Sequence, residues 1–255
     1  MKLISLNTWA GRSLYPLMRF LENKAKDTDV FCFQEVFNAD HESVNKNNPG
    51  EYVCGDLFEK MSEILSDFQG LSMHFHNKPL AQSLAIFVRR PIQIKEAGDL
   101  VVANEVPAPK ELGGGVYDAR KMQYVKIETK KGIYTVANLH GLWGGGIKTD
   151  IPERLAQSRV VKEFFNKTSG PKILCGDFNL LPDTESMKIM EQGMKNLIKE
   201  YGIKSTRTTL YRHFNDPEKP NFADYILVSP DIKVKKFEIL PDMVSDHSPM
   251  FLEFS

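Results

Sequence analysis

Leu3-Ile4-Ser5-Leu6-Asn7 and Val30-Phe31-Cys32-Phe33-Gln34-Glu35 are the two runs on which the fold turns. Each is a short apolar run closed by polar residues, the form of a buried strand. Between them Leu14, Leu17, Met18, Leu21 and Ala25 recur at helical spacing. Strand, helix and strand in so short a stretch predict a crossover unit whose two strands lie parallel. Asn7 and Glu35 then leave the sheet at one edge, where open α/β sheets bind ligands. The chain is therefore expected to be α/β.

Working outward, Leu57, Met61, Ile64 and Leu65 mark a second helix. Strand patterns follow at Met73–His76, Leu84–Val88, Ile92–Val102, Met122–Ile127 and Tyr134–His140. So many strands in succession predict antiparallel or mixed pairing rather than an alternating barrel. Asp150-Ile151-Pro152-Glu153 has the form of a capping box opening a helix that carries Ala156, Val160 and Phe164. Arg154 and Arg159 on that helix read as a solvated face. Ile173-Leu174-Cys175 is the next buried strand and Glu185–Met190 a helix. The last strands are expected at Ala223–Val228, Lys233–Ile239 and Met250–Phe254. With no repeat and no dividing linker, residues 1–255 are expected to form one domain. Gly113–Gly115 and Gly144–Gly146 read as loops, not phosphate cradles, and stand near Tyr117, Arg120 and His140 as rims of a cleft.

Lys and Arg total 33, as do Asp and Glu, so the formal net charge is zero. That balance argues against a chain that coats DNA indiscriminately, and leaves room for a local basic cleft. The three cysteines, Cys32, Cys54 and Cys175, make no CxxC pair. They read as buried thiols of a reducing compartment. No run approaches the roughly 18 apolar residues of a membrane span. Met1 leads straight into a strand pattern without a signal segment. A cytoplasmic monomer without membrane contact is expected.

The polar residues that close the strands carry the chemistry. Glu35 faces a buried edge, where a carboxylate has to be paired or bind a metal. Taken singly, the others have ordinary explanations: Asn7 a turn former, Asp177 and Asn179 an Asx-type turn, Asp224 a strand cap, Asp246-His247 a structural hydrogen bond, His140 a half-buried ring. Jointly they do not. Strand capping has no reason to place Glu, Asp, Asn and His at six or seven strand ends, whereas attack of water on a phosphate needs that set. Tyr117 and Arg120 are candidates for further phosphate contact, against a surface ion pair for Arg120. Thr206–Phe214 alternates basic with aromatic residues, so Arg207 and Tyr211 are candidates for a single-strand-binding loop. The competing reading is a hairpin packing Tyr211 and Phe214 into the core.

Six short motifs occur in order: Leu6-Asn7-Thr8-Trp9, Phe33-Gln34-Glu35-Val36, Asn138-Leu139-His140-Gly141-Leu142-Trp143, Gly176-Asp177-Phe178-Asn179, Ala223–Ser229 and Ser245-Asp246-His247-Ser248-Pro249. In these the chain resembles the endonuclease/exonuclease/phosphatase superfamily, which includes deoxyribonuclease I. The resemblance implies a four-layer α/β/β/α sandwich of two packed mixed β-sheets flanked by helices. It also implies Mg²⁺ (or Mn²⁺) on Glu35, with Asn7 and Asp246 beside it directly or through water. Asp177 and Asn179 would orient the attacking water and the phosphate. His140 would contact the phosphate or leaving group, and His247 with Asp224 would form a polarised imidazole–carboxylate pair. Mg²⁺ is commonly held by one or two carboxylates, so Glu35 and a few neighbours suffice.

Departures narrow the branch. His140 stands where abasic-site endonucleases typically carry tyrosine. The Cys-Asp-Arg run of inositol 5-phosphatases is missing at Phe222-Ala223-Asp224, and the apolar loops of sphingomyelinases are not evident. Hydrolysis of phosphodiester bonds in nucleic acid is the leading expectation. The alternative is a phosphatase or phosphodiesterase for a small phosphorylated molecule or lipid headgroup. A non-catalytic module would have lost one of Glu35, Asp177, Asn179 or His247, and all are present.

Overall fold

The computed structural model describes residues 1–39, 42, 44, 52–73, 83–107, 116–117 and 119–255. Strand β1 (Lys2–Asn7) lies parallel to β2 (Val30–Val36), Leu3 opposite Val30 and Asn7 opposite Gln34, with α1 (Leu14–Lys24) crossing between them. The crossover read from the first 35 residues is there. It has a counterpart: β9 (Gly132–His140) and β10 (Lys172–Asp177) are also parallel, joined through α3 (Pro152–Lys167).

Each parallel pair sits inside a six-stranded mixed sheet. In the first, the order is β13 (Val234–Ile239), β14 (Met250–Phe254), β1, β2, β4 (Ser83–Arg89), β3 (Phe68–Ser72). In the second it is β11 (Lys195–Asn196), β12 (Asp224–Val228), β10, β9, β8 (Arg120–Thr129), β5 (Ile94–Ala103). A two-stranded ribbon pairs β6 (Val106–Pro107) with β7 (Val116–Tyr117). Helices α2 (Leu57–Ile64), α4 (Glu185–Glu191) and the short α5 (Leu197–Glu200) complete the described elements.

Period-two alternation explains the layering. Leu3, Val30, Cys32, Ile86 and Val88 turn inward to meet Val125, Val136, Ile173, Cys175 and Ile226 of the other sheet. Their neighbours Ile4, Leu6, Phe31, Phe33 and Phe87 turn outward and are covered by Leu17, Phe20, Leu21, Leu57 and Met61 of α1 and α2. Helices outside two packed sheets give the four-layer α/β/β/α sandwich. A polar link crosses the buried interface behind the strand ends. Gln34 Nε2 donates to Asn138 Oδ1 at 2.6 Å, and Asn138 Nδ2 donates to the Phe33 carbonyl at 2.8 Å. A buried hydrogen-bonded pair of this kind specifies how two sheets register. It lies beside Glu35 on one sheet and two residues before His140 on the other.

Three expectations about local structure are corrected. The 73–76 strand does not begin at Met73: β3 ends at Ser72, Met73 is a buried residue after it, and 74–76 lie outside the described residues, as do Gly113–Gly115. The 150–153 capping box is not formed. Ile151 is the extended N-cap of α3, Pro152 opens the helix, and the Asp150 carboxylate instead accepts from the Glu185 and Ser186 amides of α4 at 2.7 and 2.9 Å. Ala156 is exposed; α3 buries the row Arg154, Gln157, Ser158, Val161 and Phe165, offset from the face that apolarity suggested. All three cysteines are free and buried. No helix among the described residues is long and apolar enough to cross a membrane.

Gly176 shows how tightly the second sheet closes behind the site. Its φ is +134°, and an added Cβ would stand 2.0 Å from the Leu139 carbonyl oxygen. Gly176→Ala is expected to cost roughly 1–3 kcal/mol in backbone strain alone, and more once Leu139 is displaced. Chemical denaturation would read this as a lower midpoint; an unchanged midpoint would contradict it.

Candidate active site

The strand ends converge as their register requires. Asp177, at the end of β10, lies opposite His140 of β9 and Asp224 of β12. From the other sheet, Asn7 reaches across: its Nδ2 donates to Glu35 Oε1 and to Asp177 Oδ2, both at 3.0 Å. Its Oδ1 accepts from the Trp9 amide at 2.9 Å, so Asn7 presents its nitrogen side to the two carboxylates. Glu35 itself is aimed by an irregularity. The β2–β4 register shifts between Phe33 and Val36, and Glu35 takes a φ of +57°. Such a bulge re-aims a side chain at a sheet edge. The Thr8 hydroxyl lies 2.9 and 3.0 Å from the Gln34 and Glu35 carbonyl oxygens and secures the bend.

On the facing sheet the turn after Asp177 is equally constrained. Asn179 has a φ of +54°, donates its amide to Asp177 Oδ1 at 2.9 Å, and donates Nδ2 to the Gly141 carbonyl at 3.2 Å. The Asx-type turn is present, and it leaves Asp177 Oδ2 toward the cluster. His247 Nδ1 stands 2.9 Å from both Asp224 oxygens, and its Nε2 is 3.6 Å from Asp177 Oδ2 and 3.8 Å from Asp246 Oδ1. His140 Nε2 is 3.8 Å from Asp177 Oδ2 and 3.9 Å from Glu35 Oε1.

The two imidazoles differ electrically. Burial, reinforced by Arg120, pushes His140 down to about 3, so it is neutral. Burial and Arg207 also act against charge on His247, but Asp224, Asp246 and Asp177 outweigh them and raise it, favouring imidazolium. Burial alone would raise Asp177; His247, His140, Arg207 and Lys148 reverse this and hold it well below the usual carboxylate range. Glu35 is raised by burial, only partly offset by His247 and the Asn7 hydrogen bond. It is the carboxylate with most to gain from a cation.

These groups open into a cleft of about 760 Å³ lined by Trp9, Arg120, Trp143, Lys148, Arg207 and Tyr211 among others. Arg207 and Tyr211 do reach it. Arg207 Nη1 donates to Asp246 Oδ2 at 2.7 Å and its guanidinium covers the Tyr211 ring at 4.6 Å. The segment is a series of turns, so the hairpin reading fails, and Tyr211 and Phe214 are only half-buried. Tyr117 is placed by its backbone opposite Val106; its side chain lies outside the described part.

Two residues that matter here escaped the sequence. Arg154, read as solvated, is fully buried. It donates to the carbonyls of Leu142 (3.1 Å from Nη2), Ile147 (2.6 Å) and Thr149 (2.7 Å), folding the 142–149 loop that carries Trp143 and Lys148. Arg159 is exposed as expected. Lys148 is 6% exposed and faces the cleft, and burial with the nearby Arg207 lowers it to about 8. The Gly144–Gly146 loop before it was the available signal, since a lysine leaving a glycine-rich rim is well placed to enter a cleft. Arg154→Met leaves three inward carbonyls short of a donor, at roughly 1–3 kcal/mol for each. Lower thermal stability together with a raised KM is expected; wild-type values of both would show that Arg154 does not hold this loop.

The donor set suits a hard divalent cation. Asp246 Oδ1 is buried without a hydrogen-bond partner, Glu35 is raised by burial, and Glu35, His140 and Asp177 offer ligand atoms within 4.8 Å of one another. Oxygen-rich donors with one or two carboxylates are what such ions take.

The family model described as "Endonuclease/Exonuclease/phosphatase family" matches residues 4–247. The chain belongs to this family. No curated protein matches its sequence. Among solved structures, it is similar to an endonuclease/exonuclease/phosphatase from Bacteroides vulgatus, with 18% identity, TM-score 0.72, and 100% of this chain and 98% of that one covered. A mannosyl-6-phosphatase from Bacteroides thetaiotaomicron gives 21% identity, TM-score 0.72, and 100% and 99% coverage. The human Nocturnin catalytic domain with bound sulfate gives 16%, 0.65, and 100% and 93%. The endonuclease/exonuclease/phosphatase family members share this phosphoesterase sandwich, and these likenesses establish the fold of the chain.

Proposed function

We propose that this family member is a Mg²⁺-dependent phosphoesterase that hydrolyses phosphodiester bonds, with nucleic acid as the leading substrate class. The observation that carries the reading is the convergence of Glu35, Asp177 and Asp246 with one neutral and one protonation-prone imidazole at the floor of a cation-lined cleft. Glu35 and Asp246 would hold the metal, with Asn7 keeping the Glu35 and Asp177 carboxylates in place. A bound divalent cation supplies charge stabilisation to the phosphoryl and leaving oxygens.

The remaining work falls to the chain's own groups. Asp177, kept ionised by surrounding cations, orients the attacking water through Oδ2 and accepts its proton. Asn179 fixes that carboxylate through its backbone amide and turns its own side chain into the same corner. His247, held by Asp224 and protonated, donates from Nε2 to a phosphoryl oxygen, where positioned donors stabilise developing charge. His140, neutral, contacts the phosphate or the leaving oxygen without adding a competing charge beside Arg120.

One observation favours the second reading, a small phosphorylated molecule. The cleft is bounded by the Trp143 loop and the 206–222 turns, and about 760 Å³ lies within the range of small-ligand pockets, roughly 300–1,000 Å³. A panel with Mg²⁺ separates them: single- and double-stranded DNA, RNA, bis(4-nitrophenyl) phosphate and sugar phosphates. Hydrolysis of oligonucleotides supports the leading reading, hydrolysis confined to sugar phosphates supports the second, and no hydrolysis of any member refutes both.

A further inference from the structure

Several cations line the cleft, Arg12 and Arg120 among them. Arg207 is spoken for by Asp246. Lys148, Arg212 and Lys219 line the same cleft, and none has a carboxylate within 4.0 Å among the described residues. In a chain whose charges balance to zero this is a local surplus. Asp216 of the same turns is 4.0 Å from His213, and accepts from the Glu218 amide.

Two of the three are also held by their side chains. Lys148 Nζ donates to the Phe222 carbonyl at 2.6 Å, which ties it to the end of the 206–222 segment and leaves its other two N–H groups uncommitted. Its ammonium lies 6.0 Å from the Tyr211 ring, whose guanidinium neighbour is Arg207. The Tyr211 ring contacts His213 edge-on at 5.5 Å, and Arg212 Nε donates to His213 Nε2 at 2.9 Å. Tyr211 therefore stands among these cations in the cleft that holds the hydrolytic cluster. Lys148 is buried with no carboxylate in direct contact among the described residues, and an anion beside it would offset part of the cost of that burial.

We propose that Lys148, Arg212 and Lys219 form a subsite for a second phosphate, carried by the substrate beside the one being cleaved. The proposal rests on the phosphoesterase reading and narrows it to substrates with two phosphoryl groups in reach of one cleft. The second group is either the neighbouring phosphate of a nucleotide or the second monoester of a small molecule; the chemistry of recognition is the same.

The test uses two ligand pairs that differ by one phosphate: thymidine 3′,5′-bisphosphate against thymidine 5′-monophosphate, and glucose 1,6-bisphosphate against glucose 6-phosphate. Binding is measured by calorimetry and turnover by phosphate release with Mg²⁺. Wild type should prefer the doubly phosphorylated member of at least one pair by roughly tenfold or more, as one charge-assisted contact supplies. The Arg212→Ala/Lys219→Ala variant should bring that ratio close to one. Both residues are exposed, so the variant should fold; Lys148→Gln is a further arm, read only where its unfolding midpoint is retained. Which pair shows the preference identifies the source of the second phosphate. Absence of any binding preference, or a preference that survives the double variant, overturns the subsite. Binding preference without turnover of either pair or of bis(4-nitrophenyl) phosphate upholds the subsite and overturns the hydrolase reading instead.

Discussion

Replacing Asp177 with Asn, or His247 with Ala, is expected to lower turnover about 10²–10⁴-fold, the range of a positioned acid or base, while the protein stays folded. The two side chains are coupled through Nε2 of His247, 3.6 Å from Asp177 Oδ2. Asn at 177 keeps an oxygen for the Asn179 amide, so the turn survives. What it loses is the negative charge that draws water's proton and helps keep His247 charged. Alanine at 247 removes the donor to the phosphate and leaves Asp224 buried without its imidazole partner. The expected signature is a fall in kcat larger than any change in KM, because both groups act on charge that develops during reaction. Wild-type turnover in both variants would remove these assignments.

Stripping divalent cations should abolish activity altogether, with recovery on adding Mg²⁺ or Mn²⁺. Four carboxylates, those of Glu35, Asp177, Asp224 and Asp246, crowd around His247, Arg207 and a neutral His140. Among the described residues Glu35 has no cationic side chain in hydrogen-bonding contact, only the Asn7 amide at 3.0 Å, and its burial penalises the ionised form. A cation relieves that penalty, so metal should also stabilise the fold, by roughly 2.7 kcal/mol at a hundred times its Kd. Glu35→Gln should weaken this thermal shift and raise the Mg²⁺ needed for half-maximal rate. Full activity after thorough chelation, or a Mg²⁺-induced shift equal in wild type and Glu35→Gln, would refute Glu35 as the holder of the ion.

Most of the strands, the parallel pairing of the first two and the polar strand ends were legible from residue order because each depends on neighbours a few positions away. An apolar run closed by Asn, Glu, Asp or His announces a buried strand and its edge, and the helical spacing between β1 and β2 announces a parallel crossover. The residues named as the site converge for the same reason: parallel neighbours bring their ends to one edge. Arg207 and Tyr211 line the cleft as expected, but a basic–aromatic alternation does not reveal that Asp246, 39 residues on, takes the arginine.

What only the tertiary structure decided is who partners whom across long separations. Arg154 looks solvated by its position on a polar helix, yet the carbonyls of the 142–149 loop bury it. Asp150 precedes one helix and caps another, at Ser186. Glu35 is named by the sequence but aimed by a bulge against β4, and the Gln34–Asn138 link that sets the two sheets spans 104 positions. A single strand cannot specify such contacts: hydrophobic periodicity selects which face is buried, whereas the fate of a buried polar atom depends on which donor or acceptor the packed chain brings within about 3 Å of it.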